Sequence, residues 1–299
     1  MPGNHIDPRS HGQSEFPMLV FTMASEGFLR MLENWVVHMS AVLPTVAYEA
    51  HASDLNAFNG CRAFIRTPGT CISSPSPFNL STQKIVGAAS LPVFGNGRVG
   101  AYYENPFFAY KVGLTLEVLK RSAAGVLLLD VTALVSSTKC LHRWLRFQED
   151  IVASSEVGGA PRFFFHAHGI TANTGAILYR RSALHFVETW HEQMIDDLHK
   201  RGSLSYSDQG FFHVTINSSN RWRWLSRGRS PIAIIQQPEP VSPASMHIRF
   251  LDPDEWPRDS SQSKARTTCL HHPFVRGHRQ DVRESKFSQD GWWWLGGKG

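Results

Sequence analysis

The sequence predicts an α/β protein with a Rossmann-like, mixed and mostly parallel sheet flanked by helices. Three observations carry that expectation. The run Gly125-Val126-Leu127-Leu128-Leu129-Asp130-Val131-Thr132-Ala133-Leu134-Val135 is dense in branched apolar residues, as in a strand buried on both faces. The first fifty residues spell strand, helix, strand, the crossover unit of a parallel sheet. Amphipathic helical stripes then alternate with short apolar runs over the rest of the chain.

Taken in order, Phe16 to Met23 reads as a strand, Ala24-Ser25-Glu26-Gly27 as a turn, and Phe28 to Met39 as a helix. Leu29, Leu32 and Val36 of that helix fall at spacings of three and four. Pro44 to Tyr48 reads as the second strand, ending in Glu49, and Ser53 or Asp54 caps a short helix. From Ile65 to Thr82 the chain is rich in Pro, Ser and Gly and reads as a surface loop, and Gly95-Asn96-Gly97 marks a turn. A helix from Tyr110 to Arg121 feeds the Asp130 strand, and Ser136-Ser137-Thr138 caps the next helix. Asp150 to Glu156 and Ala176 to Tyr179 read as strands, and Phe163 to His168 as irregular. Ser182 to about His199 and Asp208 to Thr215 read as helices, and Ile232 to Gln236 and His247 to Leu251 as late strands. Ser260 to Lys264 reads as a polar linker, and no internal repeat is present.

At 299 residues, 42% hydrophobic and 18% charged, the chain has an ordinary globular composition, enough for one large α/β domain or two small ones. A net charge of +5 without a basic run gives no reason to expect nucleic acid, and suits an anionic small molecule. No segment reaches the roughly 18 apolar residues of a membrane span, and Met1 to Gln13 does not have the pattern of a signal peptide. Four cysteines form no CxxC pair; Cys61 and Cys71 either bridge in an oxidising compartment or lie reduced and buried. Two Asn-x-Ser sequons, at Asn79 and Asn217, permit a secretory address without requiring one.

Asp130 is the residue that asks for an explanation. Burying an unpaired carboxylate costs several kcal/mol, so it needs a cation, a sugar hydroxyl or backbone N–H groups, unless it merely caps the turn after the strand. The carboxyl ends of strands are where ligands sit in open α/β sheets.

An ordered set of motifs now resembles the nucleotide-diphospho-sugar transferase family of glycosyltransferases, which includes plant xylosyl- and arabinosyltransferases. The set runs through the Asp130 strand, Asp150-Ile151 to Glu156, Asn173-Thr174-Gly175, and Asp208-Gln209 before Phe212. It continues with Arg249-Phe250-Leu251-Asp252-Pro253 leading to Trp256-Pro257, and closes on His271, Gly277 and Gly291-Trp292. The resemblance implies a glycosyltransferase-A type fold in a single domain over 16–294, after a disordered lead over 1–15 and before a tail over 295–299. It also implies transfer of a sugar, UDP-linked and with retention, to a glycan or glycoprotein hydroxyl such as a cell-wall glycan, in the Golgi lumen or secretory pathway.

The resemblance implies site residues one at a time. Asp130 anchors the metal or the ribose, Asp208 faces sugar and acceptor with Gln209 beside it, and Asn173 and Thr174 form the sugar-side loop. Phe21, Thr22 and Glu49 are nucleoside contacts by strand position. His271 touches the diphosphate, and Asp130 with His271 would hold Mn²⁺ or Mg²⁺. The family's second Asp of Asp-x-Asp is here Thr132, a neutral and weaker ligand. Three readings follow: a metal still held, metal-free chemistry with Arg276 or Lys286 balancing the charge, or a catalytically inactive nucleotide- or carbohydrate-binding protein on the same fold. His213 stands where the family commonly has Asn, which bears on substrate selectivity.

Bland alternatives accompany several of these. Asp208 also suits a helix N-cap, and Asn173-Thr174-Gly175 suits a β-turn. His166 and His168 form a possible metal pair that more often is a surface feature. Trp292-Trp293-Trp294 either stack on sugar rings or dock the tail onto the core. A dehydrogenase is disfavoured because the first turn is not Gly-x-Gly-x-x-Gly.

Overall fold

The computed structural model describes residues 17–76, 106–157, 170–218, 222–226, 230–237, 245–256, 269–271, 280–289, 291–293 and 295. The chain begins β1 (Leu19–Ala24), α1 (Leu29–Val42), β2 (Tyr48–Ala52), α2 (Leu55–Phe64) and β3 (Gly69–Ser73). It continues α3 (Phe107–Arg121), β4 (Gly125–Leu129), β5 (Leu134–Val135), α4 (Thr138–Arg146), β6 (Ile151–Val157) and β7 (Ile170–Arg180). There follow α5 (Leu184–Arg201), α6 (Asp208–Ser218), β8 (Trp222–Ser226), β9 (Ile232–Gln236), β10 (Ser245–Phe250), β11 (Leu270–His271) and α7 (Gln280–Gln289).

Nine strands form one sheet in the order β3-β2-β1-β4-β7-β6-β10-β9-β8, while β11 and β5 pair separately. The strand pairings make β7 and β9 antiparallel to the other seven, so the sheet is mixed and mostly parallel, as expected. Buried residues of β4 face both ways. Leu127 and Leu129 join α1, α2, α4 and α7 in one apolar layer, and Val126 and Leu128 join α3, α5 and α6 in the other. This two-sided burial is why β4 reads as a continuous apolar run.

Several boundaries differ from the sequence reading. The second strand is Tyr48–Ala52 rather than 44–48, with Tyr48 opposite Val20; Pro44, with no N–H to give, lies in the turn before it. Glu49 therefore opens its strand instead of ending it. Part of the segment read as loop forms the edge strand β3, five residues long, with no buried face and no apolar run to announce it. The Asp130 run is not one strand: β4 stops at Leu129, Ala133 N–H bonds Asp130 O at 2.7 Å, and β5 turns away to meet β11.

The caps are mostly as read. Asp54 Oδ1 accepts the Ala57 N–H at 2.7 Å and Ser137 Oγ accepts that of Cys140 at 3.2 Å. Ser182 does not cap; its hydroxyl donates to Asp150. The lead over 1–15, Asn79, Gly95-Asn96-Gly97, His166, His168, Pro257, the 260–264 linker, His272, Pro273, Arg276, Gly277 and Trp294 lie outside the described residues.

Candidate functional site

The topology itself defines a crevice. From β1 the chain passes through α1 to β2 and on to β3, then returns to pair β4 on the other side of β1. Because α1 and α3 lie on opposite faces, the carboxyl ends of β1 and β4 flank a topological switch point, the usual place for a ligand in such sheets. Asp130 follows β4 directly.

Asp130 does have a partner, and it is a cation that the sequence reading missed. Lys111 Nζ lies 3.0 and 3.2 Å from the two Asp130 carboxylate oxygens, and 2.9 Å from Asp208 Oδ2. The lysine and Asp208 side chains are 7% and 6% exposed, whereas Asp130 keeps 30% of its side chain open to solvent. Burial acts against the Lys111 ammonium, yet the two carboxylates outweigh it and raise its pKa. Lys111 projects from the first turns of α3, a helix so apolar that Tyr110, Val112, Leu114 and Leu116 are buried around it. A lysine in the middle of such an apolar run is the sequence signal that could have found it.

Asp208 receives a second bond, from Thr174 Oγ1 at 2.8 Å. A bulge delivers that threonine. Pairing jumps from Ala153↔Ile177 to Ser154↔Asn173, so β7 carries three extra residues, Thr174, Gly175 and Ala176, opposite β6. Within the bulge Asn173 Oδ1 accepts the Gly175 N–H at 2.9 Å, and Gly175 O accepts the Asp130 N–H at 2.7 Å. Asn173 thus shapes the turn while Thr174 reaches the acid. The capping role open to Asp208 belongs to its neighbour, since Ser207 Oγ accepts the Gly210 N–H at 3.3 Å. Gln209 follows on α6, half-buried.

Two further groups complete the surroundings. Tyr179 is wholly buried, and its phenol is pushed well above its usual pKa, by burial first and then by the Asp208 and Asp130 charges. His213 is buried on α6, and its Nε2 accepts the Ala172 N–H at 3.2 Å, which ties the helix to β7.

Other expected residues sit elsewhere. Phe21 and Thr22 are 0% exposed within β1, so a nucleoside has no access to either as the chain stands; Phe21 instead meets the His51 ring edge-on at 6.0 Å. The Glu49 carboxylate is committed internally, to Arg121 and to His51 Nε2 at 2.9 Å. Burial opposes its charge, but those partners hold its pKa down at about 2. His271 lies on β11 opposite Leu134, stacked face to face on Trp292 at 4.5 Å with Phe287 beside it. Trp292 and Trp293 pack against the core, so the docking reading holds for these two.

Both cysteine pairs are bridged. Cys61–Cys71 joins α2 to β3, and Cys140–Cys269, absent from the sequence reading, fastens the start of α4 to the residue before β11.

The divalent cation that the resemblance implies fits this donor set poorly. Both Asp130 oxygens face an ammonium, Thr132 is neutral and 3% exposed, and two carboxylates with one ammonium leave the cluster at a net −1. Among the described residues no group of three or more His, Cys, Asp or Glu is placed to hold a metal. Hard cations draw their affinity from several charged oxygens at once.

The buried histidines set an acid limit. Burial lowers His213 to about 3; His271 also falls to about 3, by burial first and then by the Lys286 and His38 charges. The fold therefore favours neutral imidazoles, while the unfolded chain takes up protons below about 6.5. The stability they contribute is complete above that pH and is lost as pH falls through it, roughly 2 kcal/mol for each by pH 5. Thermal unfolding should show a midpoint that drops steeply between pH 6.5 and 5. A flat profile there would rule out neutral buried imidazoles.

No family model and no curated protein matches the chain. Solved structures do. The galactosyltransferase LgtC in complex with donor and acceptor sugar analogs is 14% identical over 65% of this chain and 69% of that one, with a TM-score of 0.42. An active-site mutant of LgtC is 12% identical over 92% and 95%, with a TM-score of 0.45. Mouse xyloside xylosyltransferase 1, in its apo form, is 14% identical over 87% and 99%, with a TM-score of 0.47. All three of these neighbours are glycosyltransferases, and this chain is similar to them at a level that leaves the functional reading to its own residues.

Proposed function

We propose that the chain is a glycosyltransferase that moves a sugar from a nucleotide diphosphate donor, UDP-linked, to a hydroxyl of a glycan or glycoprotein. One observation carries the reading: a partly open Asp130 at the switch point, joined through Lys111 to the buried pair Asp208 and Thr174. A rigid carboxylate beyond a strand end suits ribose or sugar hydroxyls, which donate hydrogen bonds to it. Lys111 holds both acids in fixed positions, so that orientation costs nothing when substrate arrives.

In the retaining course, the acceptor oxygen attacks the anomeric carbon on the face that the diphosphate leaves. The carbon–oxygen bond to phosphate breaks, and the acceptor proton passes to the departing phosphate oxygen. Asp130 accepts a donor hydroxyl, and Asp208 with Gln209 orients sugar and acceptor. The two disulfides suit an oxidising lumen such as the secretory pathway. Among the described residues no helix is long and apolar enough to cross a membrane.

The test is UDP or GDP release from a panel of nucleotide sugars. Asp208→Asn, which keeps a bond to Thr174, should lower turnover about 100-fold or more, near 3 kcal/mol of barrier. Undiminished turnover in that variant would remove Asp208 from the chemistry. No turnover of any donor, with nucleotide binding intact, would leave the second reading, a non-catalytic binding protein, which the neutral Thr132 favours.

A further inference from the structure

We infer that Asn217 is a modification site, whose side-chain amide takes an N-linked oligosaccharide from a lipid-diphosphate carrier as the chain passes through an oxidising lumen. The inference shares the compartment of the proposed function but none of its chemistry, since here the chain is the acceptor and another enzyme the catalyst.

Two independent observations point to that lumen. All four cysteines are bridged, Cys61 to Cys71 and Cys140 to Cys269, a state that a reducing cytosol disfavours. Asn217-Ser218-Ser219 is an acceptor sequon with a small residue, not proline, at its centre.

The structure adds the state of the acceptor amide. Asn217 is the last residue but one of α6, partly exposed and followed by the exposed Ser218. No described residue hydrogen-bonds its side chain. Asn34 and Asn173, by contrast, commit theirs to Trp292 O and to the Gly175 N–H. The helix end is fixed without Asn217: Ser218 Oγ donates to Thr215 O at 3.1 Å and accepts from Gln193 Nε2 at 3.0 Å. A glycan therefore displaces no bond among the described residues. The order of synthesis helps as well. β8, β9 and β10 form this side of the sheet and are all made after Asn217, so the amide is still accessible in the nascent chain.

In the transfer, a bond forms between Asn217 Nδ2 and the anomeric carbon, and that carbon's bond to the carrier diphosphate oxygen breaks. The lipid diphosphate departs, and one amide proton passes to a base of the transferring enzyme. Asp208 opens the same helix, and at 1.5 Å per residue the attachment point lies about 14 Å along the axis from it. The glycan is thus attached at the end of α6 remote from the crevice.

The full chain, sent into the secretory lumen of cultured eukaryotic cells behind a cleavable leader, tests this. Peptide N-glycosidase releases the glycan and leaves aspartate at the modified position, which gel mobility and mass spectrometry read. We expect a glycosidase-sensitive mobility shift and conversion at Asn217. Asn217→Gln and Ser219→Ala should each abolish that conversion, with both bridges still present on a non-reducing gel. No conversion at Asn217 in the bridged parent chain overturns the inference, as does conversion that survives Ser219→Ala. A shift carried by Asn79 alone overturns it too, and a chain that reaches the lumen with its cysteines reduced removes its premise. Turnover of nucleotide sugars is measured separately, and its absence would sink the transferase reading while leaving the modification in place.

Discussion

Replacing Lys111 by Met is expected to cost about 3–5 kcal/mol, the usual penalty for removing one partner from a buried ionic cluster. Asp130 and Asp208 now meet through the ammonium, and without it two carboxylates face each other with Asp208 nearly buried. The loss should shrink as pH falls. In the variant the carboxyls gain affinity for protons on folding, so their contribution to stability recovers toward pH 5. Both proteins share the opposite slope that comes from the neutral His213 and His271, so the difference between them isolates the cluster. Denaturant unfolding of both proteins at pH 7 and pH 5 reads that difference directly. Adding Asp208→Asn to the Met variant should restore part of the stability, since one of the two facing charges is gone. A Met variant within about 1 kcal/mol of the parent at pH 7 would show that the cluster is not the buried ion pair described.

Opening the Cys140–Cys269 bridge should be the other large loss. The bridge closes a separation of 129 residues, and chain-entropy arithmetic gives about 5 kcal/mol for a loop of that size. Cys61–Cys71 closes only 10, for about 3 kcal/mol. Cys269→Ser should therefore lower the unfolding midpoint more than Cys71→Ser does. The ranking has a local reason as well. Residues 269–271 are held by their ladder to β5, by Cys269 N–H to Glu255 O at 2.8 Å and by Ser136 N–H to Cys269 O at 3.1 Å. These are few bonds for a segment that carries His271. Equal losses in the two serine variants would mean that the long bridge constrains little.

What the residues made legible, and what they did not, follows from the range of the interactions. The core strand β4, the helix α1 and the helix that opens at Asp208 announce themselves through local periodicity, and the structure has all three. The need for a partner at Asp130 was also legible, because an unpaired carboxylate in that setting is too costly. Its identity was not. Lys111 lies nineteen positions upstream, and only the packing of α3 on the sheet brings it there. Thr174 was visible as a turn residue, but its approach to Asp208 depends on a bulge defined by pairing between β6 and β7. β3 and β8 escaped because edge strands with polar or charged faces lack an apolar run. The largely polar helix α7 escaped because Phe287, 0% exposed, is a lone buried anchor among the described side chains of that helix, amid charged and polar neighbours.

The lid formed by Phe287, Trp292 and Trp293 has a consequence in time. Asn34 on α1 donates to Trp292 O at 3.2 Å across 258 residues of chain, and His38, one turn further along α1, meets the same indole at 5.5 Å. At translation rates of roughly 5–20 residues per second, the ribosome needs about 13–50 s to make what separates them. Throughout that interval the surface of α1 that Trp292 finally covers stays wet, and the first crossover of the sheet must persist without it. The apolar layer on that side of the sheet is sealed only once residue 292 has been made.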